Sequence, residues 1–143
     1  MKKTIYELYL ENTKFINNWD LVDSSAEYIV GDFLLDKGKN PLYQLARSKN
    51  LWERRISIMS TFCFIKRRQY SETLKVAKTL LNDKEDLIHK AVGWMLREVG
   101  KRDLSLEEEF LKAHYKEMPR TMLRYGIEKF PETKRQGYLK GKI

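Results

Sequence analysis

The chain has 143 residues, enough for one domain with a real core. Lysine and arginine total 28 against 20 acidic residues, giving a net charge of +8 and a pI near 9.5. Such a balance favours an anionic partner, nucleic acid ahead of a membrane surface, although charge of this size also serves plain solubility. Cys63 is the only cysteine, which excludes an internal disulfide; set in the apolar run TFCFI, it is expected to be an inert core thiol in a reducing compartment. No apolar stretch approaches the ~18 residues of a membrane span, and the polar start MKKTIYELYLENTK is no secretory signal. These features predict a cytoplasmic protein with no membrane partner.

Apolar residues recur at three- and four-residue steps, and glycine (7) and proline (3) are scarce, so helix dominates. The pattern predicts helices near 3–14, 19–35, 41–49, 51–66, 71–81, 86–101, 104–117, 119–129 and 131–138. Asn17 or Asn18 can N-cap the second, and Asp36-Lys37-Gly38 stops it. Pro41, Pro119 and Pro131 each suit a first helical turn, where a missing N–H costs nothing. Ser71 followed by Glu72 marks another start. TFCFI has β-forming residues, but its setting inside LWERRISIMSTFCFIKRR predicts a buried helix. Glu107-Glu108-Glu109 reads as a solvated helix start, and the last residues, LKGKI, are expected to fray.

Short connections predict antiparallel neighbours. The expected fold is therefore all-α: an α-solenoid of HEAT-like antiparallel helix pairs forming one domain over residues 1–143. No clean internal repeat is visible, and an irregular helical bundle is the plainer alternative.

Two segments carry candidate chemistry. On the helix from Asp86 to Lys101, Ile88, Ala91, Val92, Met95 and Val99 share a core face, while Lys90, Trp94, Arg97 and Lys101 fall on an adjacent stripe. An aromatic among cations suits a phosphate backbone with a sugar or base nearby; alternatively, Trp94 is a boundary core residue and the cations are solvated. In NNWDLVD, Trp19 and Asp23 sit at i and i+4 on one face near a helix start. An aspartate there can also serve only the helix dipole. Arg54 or Arg55 of LWERR can partner Asp23 or phosphate, but adjacent helix positions point about 100° apart, so the two do not share a site. Arg120 and Arg124, four apart after Pro119, can clamp phosphate or pair with Glu117 and Glu128. His89 and His114 lack metal-ligand spacing, and there is no phosphate loop, dinucleotide fingerprint or Ser-His-Asp pattern, so neither metal nor cofactor is expected.

Taken together, NNWDLVD, LWERR with its apolar run, DLIHKAVGWMLREVGKRD and MPRTMLRYGIEKF resemble the DNA alkylation repair family of HEAT-like alkylpurine DNA glycosylases, over about Asn17 to Tyr138. The resemblance implies an α-solenoid cradling duplex DNA that contains alkylated purines. It implies hydrolysis of the N-glycosidic bond of cationic bases such as 7-methylguanine and 3-methyladenine, without metal or cofactor and without flipping the base into a pocket. The family's cleft tryptophans match Trp19 and Trp94, its catalytic aspartate Asp23, its cleft arginine Arg55 ahead of Arg54, and a DNA-contacting arginine Arg97. Lys90, Lys101, Arg120 and Arg124 are further expected DNA contacts.

The residues suit that chemistry. As the bond to a cationic base breaks, the sugar gains oxocarbenium character that a carboxylate stabilises and indole faces attract. At ~4 Å and an effective dielectric near 20 that attraction is worth roughly 4 kcal/mol, about three decades in rate. This suffices for a labile cationic adduct, not for an intact nucleotide. Family members carry further helical repeats before the Trp19 motif, which here arrives within twenty residues of Met1. The expectation is a C-terminal part of such a protein, with an apolar N-terminal helix face that a second copy can cover as a homodimer. Two rival readings are a non-catalytic module that binds DNA structure and a protein-interaction solenoid.

Overall fold

The computed structural model describes all 143 residues and is all-α, with no strand. α1 (Lys2–Glu11) leads through a 3-10 turn (Thr13–Phe15) to α2, which runs unbroken through Trp19–Ala26, a π-helical turn Glu27–Gly31 and Asp32–Leu34. α3 is Asn40–Ala46; α4 is Leu51–Ser60, continued past Thr61 by Phe62–Ile65. Then come α5 (Ser71–Thr79), α6 (Asp86–Arg102), α7 (Leu104–His114), α8 (Arg120–Gly126) and α9 (Glu132–Leu139).

The caps are chemical. The Asn18 side chain accepts from the Asp20 N–H at 2.7 Å, Asn50 from Trp52 at 2.8 Å and Asp103 from Leu106 at 3.2 Å. Pro41 lies in the first turn of α3. Pro119 and Pro131 instead sit one residue before their helices, with ψ of 144° and 145°. Their fixed φ suits either position, and the extended ψ turns the incoming chain onto the helix axis.

The helices form two rows, a solenoid-like arrangement. One row is α2, α4, α6 and α8, each packed on the next; α1 packs on α2, α3 on α4, α5 on α3, α4 and α6, and α7 on α6. The buried apolar side chains make one continuous cluster of 33 residues from Tyr6 to Tyr138, so no break in the core separates one end of the chain from the other. α6 is its axis. Ile88, Ala91, Val92, Met95, Leu96 and Val99 are all fully buried, roughly 10 kcal/mol of hydrophobic driving force before conformational entropy is counted. TFCFI is helical, and burial raises the Cys63 thiol above its ordinary value. α1 leaves Ile5 and Leu8 exposed.

α6 and α8 approach closely at Gly93. A Cβ there would lie 2.5 Å from the Met122 carbonyl oxygen and 2.5 Å from the Tyr125 Cβ. Both obstacles are fixed to the backbone, so Gly93→Ala is expected to push α8 outward and cost about 1–3 kcal/mol in denaturant melts. An unchanged midpoint would mean that the α6–α8 contact is looser than these distances require.

Two sequence expectations are corrected. The C-terminal residues are tied back to the fold: Gly141, at φ +69°, reverses the chain, the Lys142 N–H donates to the Gly137 carbonyl at 2.8 Å, and the Tyr115 hydroxyl donates to the Ile143 carbonyl at 3.0 Å. The Glu107-Glu108-Glu109 run is not a solvated start. Glu109 is exposed, but Glu108 pairs with Lys134 at 2.7 Å and accepts from the Tyr138 hydroxyl at 2.8 Å. Glu107 is 1 % exposed, on the same face as buried Leu111 one turn later. Burial pushes its carboxyl up to about 9; Glu108 adds to the shift and Arg97 opposes it.

That shift has a sign. The folded chain keeps the Glu107 proton up to about pH 9, whereas the unfolded chain releases it near 4.5. Stability from this group is therefore full below pH 4.5 and is lost as pH rises towards 9. Glu107→Gln removes the titration and keeps the shape. Its melting temperature is expected to exceed the parent's at pH 8 and to converge with it near pH 4. Parallel pH profiles would show that Glu107 is not protonated in the fold.

Candidate active site

The four helices of the inner row each contribute to one cleft of about 330 Å³. α2 supplies Trp19 and Asp23; α4 supplies Arg55; α6 supplies Leu87, Lys90 and Trp94; α8 supplies Tyr125. The structure thus brings together Trp19, Asp23, Arg55, Trp94 and Lys90, which are separated by up to 75 positions in sequence.

Each side chain has a local reason for its place. The Asn18 cap starts α2 at Trp19, which puts Asp23 one turn further along the same face. The turn before Trp19 is anchored by Glu53 on α4, whose carboxylate accepts from both the Thr13 and Ser48 hydroxyls. Further on, the Tyr9 hydroxyl and Ser25 Oγ meet at 2.8 Å and tie α1 to α2. Trp94 is half-buried, packs on the core and meets Phe62 edge-on at 6.2 Å between ring centres. Trp19 is 49 % exposed, so its indole stands at the cleft mouth available to a ligand.

Arg55 and Asp23 form the rigid centre. The Arg55 Nε donates to one Asp23 oxygen and Nη2 to the other, both at 2.9 Å, a bidentate pair. The remaining Nη1 donates to the Leu87 carbonyl at the start of α6. All three guanidinium nitrogens are therefore engaged within the fold, and the side chain is 5 % exposed against 14 % for Asp23. Arg55 holds the carboxylate in place, with three of its five N–H donors engaged within the fold. A carboxylate has about four lone-pair sites, so two remain for a ligand or a water.

Arg54 points elsewhere, as the 100° between adjacent positions requires. It pairs with Asp83 at 2.7 Å and caps the Ser48 and Lys49 carbonyls. These bonds tie the connection into α6, and Arg54 does not line the cleft. The stripe on α6 divides. Lys90 lines the cleft and pairs with Asp86 at 3.1 Å, which holds the ammonium above its ordinary value. Arg97 bonds Glu128, and Lys101 pairs with Glu98 at 3.1 Å; both line a second pocket. Arg120 donates to the Leu139 carbonyl and Arg124 is exposed; neither joins the cleft, and neither pairs with Glu117 or Glu128.

Tyr125 and Leu87 are cleft residues that the sequence reading missed. Tyr125 reaches the cleft because Gly93 lets α8 lie against α6, a tertiary fact with no local signal. No group of three or more His, Cys, Asp or Glu side chains is arranged to hold a metal ion, and no helix is long and apolar enough to cross a membrane. Chemically, the cleft offers one fixed carboxylate beside two indoles. That combination suits a cationic centre that must be approached from an open side.

No curated protein sequence matches this chain. The family model described as DNA alkylation repair enzyme matches residues 1–130, which takes in every helix contributing to the cleft. With that match over most of its length, the chain belongs to the DNA alkylation repair enzyme family.

Proposed function

We propose that the chain is a DNA glycosylase that hydrolyses the N-glycosidic bond of cationic N3- or N7-alkylated purines in duplex DNA, on a HEAT-like scaffold. The observation that carries this reading is the Asp23 carboxylate, fixed by Arg55 in a cleft it shares with Trp19 and Trp94. Membership of an alkylation repair family supports it.

The chemistry balances without a cofactor. The C1′–N bond breaks, and its electron pair neutralises the positive charge already on the alkylated base. The sugar is left as an oxocarbenium ion. Asp23 stabilises that charge electrostatically and orients water through its two free lone-pair sites; water adds at C1′ and gives up a proton to Asp23 or solvent. Trp19 and Trp94 present their indole faces to the same cationic centre. Lys90, at the cleft edge, suits the flanking phosphate. Selectivity follows from the leaving group: a cationic base departs without protonation, whereas a neutral base would need it.

The direct test is release of free base from duplex DNA treated with a methylating agent. Release of 7-methylguanine with no release from untreated duplex is expected. Salt-sensitive duplex binding with no base release would instead identify a module that recognises DNA structure.

A further inference from the structure

A second pocket, of about 300 Å³, opens where the later turns of α6, the start of α7 and the α8–α9 connection meet. Its floor holds Glu107, 1 % exposed, whose Oε2 has no hydrogen-bond partner. Arg97, also in the lining, has a buried Nε with no partner. Buried polar atoms left unpaired destabilise a free protein unless something meets them. The seat for this carboxyl is built: Glu107 Oε1 lies 1.8 Å from where a Cβ on Gly100 would stand, so only glycine there leaves it room.

The sign of the occupant follows from the lining. Arg97, Lys101, Lys129 and Lys134 surround the opening, and Glu107 is the one acid, held protonated by burial. Three of the cations have acid partners outside the lining, Arg97 with Glu128, Lys101 with Glu98 and Lys134 with Glu108, whereas Lys129 has none, so the opening keeps a net positive charge. An anion is therefore favoured and a metal ion is not. The size and walls say more. Leu104 and Phe130 give the pocket apolar sides, and its volume is at the lower end of ordinary small-molecule sites, larger than one phosphate needs. A protonated carboxyl offers a donor and an acceptor side by side, which matches the edge of a nucleobase.

We propose that this pocket binds a nucleotide, with the phosphate among Lys101, Lys129 and Lys134 and the base between Phe130 and the Glu107 carboxyl. The site is separate from the cleft and does not depend on the cleft being catalytic. Two sources share this chemistry: a free mononucleotide, or one nucleotide of a strand.

The test is a titration of isotope-labelled protein with deoxyadenosine monophosphate, followed by amide chemical shifts. Shifts at Gly100 and Gly126 that saturate below about 10 mM are expected. Lys129→Glu, at an exposed position, is expected to weaken binding about tenfold or more, whereas Glu107→Gln, which keeps a donor and an acceptor, retains it. Trp19→Ala is expected to leave it unchanged. Shifts confined to the cleft, no shifts at all, or inorganic phosphate binding as tightly as the mononucleotide would each overturn the proposal. A single-stranded tetranucleotide that shifts the same glycines more tightly assigns the occupant to a strand; weaker binding assigns it to a free nucleotide. Base release from methylated duplex, measured on the same samples, reports separately on the cleft.

Discussion

Replacing Asp23 with Asn is expected to lower the rate of 7-methylguanine release by about three decades while leaving duplex binding intact. The estimate rests on one carboxylate acting at ~4 Å on a developing oxocarbenium charge with an effective dielectric near 20, roughly 4 kcal/mol. Asn preserves volume but removes the charge that the transition state uses. It also turns one side of the side chain from acceptor to donor, facing the Arg55 guanidinium, so one of the two bonds at 2.9 Å is lost. A modest fall in melting temperature is part of the prediction, and rates are to be compared where both proteins are folded. Duplex affinity should hold or rise slightly, since the net charge increases from +8 by one. Release by the variant at the parental rate would remove Asp23 from the chemistry and leave the cleft as a binding surface.

The legible parts of this molecule are those written locally. The start of α2 is legible in its neighbouring asparagines, of which Asn18 caps; Asn50 and Asp103, caps that the structure adds, likewise meet a backbone N–H within three residues. The core face of α6 follows from apolar spacing alone, and all five expected residues are fully buried. The divergence of Arg54 and Arg55 follows from helix geometry, though which one meets Asp23 does not. What the sequence conceals is what depends on a distant backbone. Glu107 looks like a surface acid because its spacing to Leu111 is the only local sign of burial. The room it occupies is created by Gly100 on a different helix. Likewise Arg97 and Lys101 share a stripe with Trp94, yet about one and two turns of α6 are enough to carry them past the cleft into another pocket. Tyr125 joins the cleft only because α8 can approach Gly93.

Replacing Arg55 with Leu is expected to destabilise the fold by about 3–5 kcal/mol, because it strands a largely buried carboxylate. For a chain of this size that is a drop of about 10–15 °C in melting temperature. The pair itself need not be a net stabiliser: taking two charges out of water costs nearly what their attraction returns. The double variant Asp23→Leu, Arg55→Leu is therefore expected to recover much of the loss, and Arg55→Lys, with a point charge where two parallel bonds were, to fall between. The pair's purpose in the cleft is then positional. It holds both Asp23 oxygens in one orientation, with two lone-pair sites left open towards the indoles. On that reasoning Arg55→Leu loses base release even under conditions where it remains folded, since a carboxylate free to rotate no longer presents those sites to the sugar. A variant that loses duplex affinity but neither stability nor single-turnover rate would place Arg55 on phosphate, and the bidentate pair would be only the resting state of the free protein.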